Sequence, residues 1–148
     1  MTRIHLPLTT AQWKTFHSHL DSNPSAAFAS ILSIDDGSNL EATKCLMENN
    51  ISEILFNFAL KSTDGVMLEK IFRAADAIVG AIDANPNILA AITPRVQVIF
   101  FKSLLLCLMQ VFVLAEAKTK EGLYLYREIP CTLSYLLGEL RRSPNNVK

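Results

Sequence analysis

Histidine is the residue type in this chain best suited to acid–base catalysis or metal binding, and its spacing favours neither role. The three histidines are His5, His17 and His19. His17 and His19 lie two residues apart, so on a helix they occupy different faces and do not ligate one metal ion together. No further ligands follow at the spacing of a zinc or haem site. The sequence therefore predicts surface histidines on a first helix, with no metal ion and no cofactor.

The three cysteines, Cys45, Cys107 and Cys131, form neither a ligand set nor a disulfide framework, because their number is odd and their spacing is irregular. Cys107 lies in the run Leu-Leu-Leu-Cys-Leu-Met, which is typical of a small core residue. A nucleophilic Cys131 would need His17 or His19 to reach it as a base, and nothing near it in the sequence indicates this. Free thiols of this kind favour a reducing, cytoplasmic location.

The segment Asp35-Asp36-Gly37, followed by Glu41, has the residue types of a calcium loop but not the spacing. The ligand positions of an EF-hand that precede its glycine alternate along the chain, and here two of them are Leu32 and Ile34. The sequence also contains no glycine-rich phosphate loop and no Gly-x-Ser-x-Gly elbow. It therefore predicts a turn at this point and a protein that is not an enzyme.

Composition indicates one folded domain spanning residues 1–148. Half of the 148 residues are hydrophobic and 19% are charged, which is enough apolar material for a core. Lys plus Arg and Asp plus Glu number 14 each, and this balance argues against binding nucleic acid through phosphate neutralisation. Residues 1–93 hold 6 basic and 10 acidic residues, whereas residues 94–148 hold 8 basic and 4 acidic. The halves are therefore net −4 and +4, which indicates two solvated faces or, alternatively, a site for an acidic partner on the C-terminal half or head-to-tail self-association.

Apolar residues at helical spacing, punctuated by capping and turn residues, predict an all-α protein. The predicted helices span residues 9–21, residues from Pro24 to the loop at Asp35, residues 40–48, the stretch from a cap at Asn50 to a break at Lys61, residues 66–84, residues 94–120, and residues from Pro130 onward. The alternation at 123–126 is compatible with a strand or a broken helix. Residues 143–148 read as a short flexible tail.

The run 96–117, which begins at Val96 and ends at Ala117, is long enough to span a bilayer. Lys102, in its first third, would cost about 2.5–3.5 kcal/mol to insert, and Gln97, Ser103 and Gln110 add to that cost. A central helix enclosed by the other helices gives the same pattern. The sequence favours that interpretation, and it leaves a membrane-associated helical protein as the alternative.

One region resembles an armadillo- or HEAT-like helical repeat. The segment Asn-Ile-Ser-Glu-Ile-Leu-Phe-Asn-Phe, residues 50–58, is similar to the opening helix of the armadillo signature, and the polar break at 62–64 follows it. Residues 74–82 resemble the alanine-rich third helix of that family, and Asn85 and Asn87 resemble its closing asparagines. The resemblance covers residues 50–87, about one repeat. It implies a right-handed stack of antiparallel helices, and a closed helical bundle is the alternative architecture.

The functional expectation follows from that resemblance and from the absence of catalytic motifs. An armadillo-like stack implies a non-enzymatic adaptor or scaffold that binds a peptide or helix of a partner protein on its concave face. Asn57 and Lys61 are the residues expected to face such a partner. The alternative is a compact bundle whose hydrophobic groove holds a ligand or a partner helix.

Overall fold

The computed structural model describes residues 4–61 and 64–116 together with Thr132, Ser134 and Gly138. In that part of the chain every regular element is helical, so the predicted all-α class is confirmed. The α-helices are α1 (Thr10–Ser22), α2 (Pro24–Ile31), α3 (Leu40–Glu48), α4 (Ile51–Lys61), α5 (Gly65–Ala84) and α6 (Pro94–Glu116), and 3₁₀ helices cover Leu32–Ile34 and Pro86–Ala91. The predicted alternation at 123–126, the tail 143–148 and most of the predicted last helix lie outside the described residues.

Most helices begin where the sequence places a capping side chain. The side-chain oxygens of Thr9, Asn23 and Thr93 each accept a hydrogen bond from the backbone N–H three residues later. Asn39 caps α3 in the same way, and Asp64 caps α5 through the N–H two residues later. Local side-chain chemistry therefore fixes the boundaries of five of the described helices.

The junction between α3 and α4 departs from this pattern at Asn50. The sequence predicts a capping box in which the Asn50 side chain and Glu53 satisfy each other's backbone N–H groups. Instead Asn50 has φ +49, and its Oδ1 is buried without a hydrogen-bond partner. Its Nδ2 donates to Ser103 Oγ of α6 at 3.3 Å. The capping-box prediction is wrong because the left-handed backbone turns this side chain towards α6, away from the start of α4.

Helix α5 lies at the centre of the fold. It contacts α2, α4, α6 and both 3₁₀ helices, which surround it on several sides. Its buried residues are Gly65, Leu68, Ile71, Phe72, Ala74, Ala75, Ala77, Ile78, Val79, Ala81 and Ile82. The many alanines in this set let neighbouring helices approach closely, and the larger residues between them fill the remaining space.

Helix α6 is not the enclosed central helix that the sequence predicts. One stripe of it is buried against α4 and α5, and this stripe comprises Phe100, Phe101, Leu104, Cys107, Leu108 and Val111. On the opposite side Ile99, Leu106, Met109 and Val113 are about half exposed. A third of the apolar window within Pro94–Leu114 is buried. The prediction fails because a helix that is apolar all round does not indicate which of its sides are covered.

Helices from both ends of the described chain pack against one another. Helix α2 packs on α5, and α3 packs on α6, while α4 makes its most extensive contact with α6. These contacts produce one continuous core that runs from Phe16 in α1 to Val111 in α6. Whether the helices repeat as a right-handed stack stays a prediction.

The loop between α2 and α3 packs closely onto the C-terminal end of α5. Gly37 has φ +75, and a Cβ atom there would lie 3.0 Å from Asn85 Cβ and 3.1 Å from Ala84 Cβ. Asn85 Nδ2 donates to Gly37 O at 3.4 Å, and Ser38 N donates to Asp36 Oδ1 at 2.9 Å. The segment is thus a turn, as the sequence predicts, and glycine is required by both its conformation and its contacts.

Replacing Gly37 with alanine tests this close approach. We expect Gly37→Ala to lower the free energy of unfolding by about 1–3 kcal/mol, because the new methyl group meets α5 in a left-handed conformation. Gly138→Ala is the matched control, since a Cβ atom there meets nothing within 4 Å. Urea unfolding followed by circular dichroism measures both. Equal stability of the two variants would contradict the tight loop–helix packing.

The central position of α5 gives a second expectation. Ile78 is fully buried, whereas Leu106 on α6 is 51% exposed. We expect Ile78→Ala to cost about 2–5 kcal/mol, because it leaves a cavity. Leu106→Ala should cost less than about 0.5 kcal/mol in dilute solution. If Leu106 were enclosed as the sequence predicts, Leu106→Ala would cost about as much as Ile78→Ala in urea unfolding.

Candidate functional site

The residues expected to bind a partner, Asn57 and Lys61, lie one turn apart on the exposed side of α4. Leu60, which is 53% exposed, lies beside them. The opposite side of α4 packs against α6. The structure therefore brings the two residues to one accessible face, and their role in binding stays a prediction.

A groove of about 330 Å³ lies between α2 and α5. We call it the α2–α5 groove, and it is lined by Ser25, Phe28, Ala29, Leu32, Val66, Glu69, Lys70 and Arg73. The first four lining residues follow the spacing i, i+3, i+4, i+7, and so do the last four. Each wall is thus one face of a helical segment. Neither Asn57 nor Lys61 lines this groove.

The floor of the α2–α5 groove is apolar. Phe28 is buried, and its ring meets that of Phe58 of α4 edge to face at 5.3 Å between centroids. Above it, Leu32 is 39% exposed and Val66 is 51% exposed. Half-exposed aliphatic side chains above a fixed aromatic ring form a surface that gains stability when another apolar group covers it.

One edge of the groove carries charge. Arg73 Nε donates to Glu69 Oε2 at 2.9 Å, a pair one helical turn apart on α5. Lys70 lies between them in sequence and is exposed, with no ion-pair partner among the residues that the structure describes. The edge therefore holds two basic groups and one acidic group, and the acidic one is already paired.

A second apolar surface lies on α6. We call it the α6 outer face, and its residues are Ile99, Lys102, Leu106, Met109 and Val113. By length and mean hydropathy, which is 2.1, Pro94–Leu114 also meets the criteria for a helix that crosses a membrane. The cores of water-soluble proteins contain helices of the same composition, so this length and mean hydropathy fit both a membrane-spanning helix and a core helix.

The thiols of the described chain are not set up as nucleophiles. Burial raises the pKa of Cys45, with Glu48 nearby adding to the effect, and burial raises the pKa of Cys107 to about 12. Both are therefore neutral thiols at physiological pH.

Trp13 stacks on the His17 ring at 5.8 Å between centroids. Within residues 4–61 and 64–116, no group of three or more His, Cys, Asp or Glu side chains is arranged to hold a metal ion.

The buried Cys107 predicts a loss of stability in alkali. The folded protein retains this proton between pH 9.0 and about 12, whereas the unfolded chain releases it. We therefore expect the contribution of Cys107 to the free energy of unfolding to be fully present below pH 9.0. Above that pH it should fall by up to about 1.4 kcal/mol per pH unit. Urea unfolding of the wild type and Cys107→Ala at several pH values isolates this group. A difference between the two proteins that stays constant with pH would contradict the expectation.

Comparison with known proteins does not assign this chain to a family. No protein-family model, no curated protein and no solved structure matches it. The resemblance to armadillo- or HEAT-like repeats thus stays a prediction. The α2–α5 groove and the α6 outer face are therefore the features of the molecule that bear on its function.

The sequence interpretation did not identify either surface. The apolar residues of the predicted second helix are Phe28, Ile31 and Leu32, and their spacing does not distinguish the buried Phe28 and Ile31 from the partly exposed Leu32. The spacing of Ile99, Leu106 and Val113 at seven residues is visible in the sequence. The buried pairs Phe101–Leu108 and Leu104–Val111 have the same spacing, so this pattern does not separate the outer face of α6 from its buried stripe.

Proposed function

We propose that this protein is a non-enzymatic interaction domain that holds an amphipathic helix of a partner protein in the α2–α5 groove. The observation that carries the proposal is the pair of walls, each with the i, i+3, i+4, i+7 spacing of a helix face, beside the apolar floor at Phe28. A third helix laid between two others packs its ridge of side chains into such a groove.

The dimensions of the groove favour a helix over a small ligand. Its volume of about 330 Å³ lies at the lower limit of pockets that enclose small molecules. Leu32 and Val66 leave much of their surface accessible, so the groove is open along its length. An open apolar channel suits a few large side chains projecting from a helix whose other face remains in water.

The charged edge specifies the kind of helix. Glu69 is paired with Arg73, and Lys70 adds a further positive charge beside the apolar floor. The partner is therefore an amphipathic helix with aliphatic or aromatic anchors and an acidic residue next to that stripe. Such a charge contributes more to specificity and association rate than to affinity.

The same proposal accounts for the chemistry of the remaining side chains. Cys45 and Cys107 are free, buried thiols, which suits a reducing compartment such as the cytoplasm. A binding domain of this kind needs no catalytic group, metal ion or cofactor. An armadillo-like repeat architecture is compatible with it but is not required by it.

Val66 provides the test. Helical peptides with apolar anchors at i, i+3 or i+4, and i+7 are selected from a display library against the wild-type protein, and their affinities are measured by fluorescence anisotropy. We expect Val66→Arg to weaken binding at least about tenfold, because it places a charge over the floor of the groove. Leu60→Arg, on α4, is the matched control with similar exposure and should bind like the wild type.

Two results would overturn the proposal. Selection that recovers no helical peptide would remove the helix as occupant. Binding that survives Val66→Arg but is lost in the double variant Asn57→Ala, Lys61→Ala would move the site to the exposed face of α4. Circular dichroism melts of every variant establish that the fold is intact.

A further inference from the structure

A hydrogen bond ties the C-terminal part of the chain to α5, next to the α2–α5 groove. Thr132 Oγ1 donates to Asp76 Oδ1 at 3.0 Å, and Thr132 is buried. Asp76 follows Arg73, the last α5 residue that lines the groove, by three residues. The two therefore lie on the same face of α5. Thr132 contacts that face about one helical turn beyond the end of the groove.

The sequence that follows Thr132 has the features that the groove requires of a helix. Thr132, Ser134 and Gly138 are all helical in the structure. The leucines of this segment follow the spacing i, i+3, i+4, i+7, and they are Leu133, Leu136, Leu137 and Leu140. This is the spacing of the apolar anchors expected of a partner helix. Glu139 borders the leucine stripe and supplies the acidic residue.

The surroundings of Ser134 and Gly138 identify the outer side of this helix. On a helix both positions lie on the other side from the leucine stripe. Ser134 is exposed, and a Cβ atom at Gly138 would meet nothing within 4 Å. The side of the helix that faces water is therefore the one without leucines.

We infer that the chain's own C-terminal helix, residues 132–140, occupies the α2–α5 groove and competes there with a partner helix. The competition rests on the proposed function, whereas the docking of the segment does not. A helix that runs antiparallel to α5 from the Thr132–Asp76 hydrogen bond covers about 12 Å by Leu140. Leu140 is then level with Leu68, within the wall that runs from Arg73 to Val66.

The α2–α3 loop favours this direction over the opposite one. Gly80 lies one turn beyond Asp76 on the same face of α5, and a Cβ atom there would lie 3.3 Å from Asp35 O of the loop. The loop therefore stands across the face on that side of Asp76. On the other side the face continues into the groove, where Val66 is 51% exposed.

Charge selects the same direction. Glu139 follows Thr132 by seven residues, and Lys70 precedes Asp76 by six. Antiparallel placement therefore brings Glu139 level with Lys70 to within about 2 Å along the axis. The opposite direction would bring Glu139 level with Asp83, which repels it. Opposite charges in register favour the groove as the site of this segment.

A tethered helix lowers the apparent affinity of any partner. A segment joined by a short linker acts at an effective concentration of about 1 mM. The partner binds only the fraction of molecules in which the groove is open, so its dissociation constant rises in inverse proportion to that fraction. We therefore expect a partner helix to bind the wild type at least about tenfold more weakly than a chain whose segment cannot dock.

Disulfide trapping in the full chain tests the docking, in a Cys131→Ser background. Val66→Cys combined with Leu140→Cys should form an intramolecular disulfide, detected by mobility on a non-reducing gel. Leu60→Cys combined with Leu140→Cys is the matched control and should form little, since Leu60 is 53% exposed but lies on α4. The two described cysteines are buried and do not compete for oxidation. Failure of the first pair, or equal trapping of both pairs, would overturn the docking.

Peptide binding to full-length variants tests the competition. In Leu136→Asp, Leu140→Asp, charge on the leucine stripe should release the segment. The helical peptides selected for the groove should then bind at least about tenfold more tightly by fluorescence anisotropy. Ser134→Asp is the matched control on the exposed side and should bind like the wild type. Circular dichroism melts verify that each variant is folded.

A labelled peptide with the sequence of residues 130–142 separates the two proposals, because it needs no partner. It should bind the Leu136→Asp, Leu140→Asp chain, and Val66→Arg should remove that binding. Selected peptides that bind through Val66 but gain nothing from Leu136→Asp, Leu140→Asp would overturn the competition and leave the proposed function standing. Binding of the chain's own peptide through Val66, with no helical peptide recovered from the library, would support the docking and overturn the proposed function.

Discussion

Burial of α5 on several sides is the constraint on which the rest of the described structure depends. Helices α2, α4 and α6 all pack against it, and both 3₁₀ helices contact its ends or sides. This is possible because alanines at 74, 75, 77 and 81 give the helix a narrow profile between larger apolar residues. The positions of the α2–α5 groove and of α6 follow directly, because one wall of the groove is α5 itself and the buried stripe of α6 rests on it.

Local features of the fold are predictable from the sequence, and the pairing of helices is not. Caps at Thr9, Asn23 and Thr93 act through hydrogen bonds within three residues, so the sequence contains all the information they need. The sequence predicts α6 as the enclosed central helix, whereas α5 occupies that position in the structure. A continuous apolar run such as the one in α6 is compatible with burial on any side, whereas the alanine-rich α5 reveals its role only through how closely its neighbours approach.

The candidate surfaces are likewise predictable from the sequence only where local helical spacing decides them. Asn57 and Lys61 are polar residues of α4, and the structure places both opposite its buried Ile51, Leu55 and Ala59. The α2–α5 groove requires that Phe28 and Val66, which are far apart in sequence, belong to adjacent walls. No local pattern encodes that adjacency.

The turn at Asn50 has a consequence for the mechanics of the α4–α6 contact. Within the described chain, Asn50 Oδ1 and Ser52 Oγ are buried without hydrogen-bond partners, and Asn50 Nδ2 donates to Ser103 Oγ across an otherwise apolar contact. Sliding α6 by one helical turn, about 5.4 Å, would bring Ile99 or Cys107 opposite Asn50 and leave the amide donor unsatisfied as well, at a cost of about 1–3 kcal/mol. A smooth apolar contact would tolerate such slippage. This polar contact locks the axial register of α6, just as a single buried asparagine selects one alignment in a coiled coil.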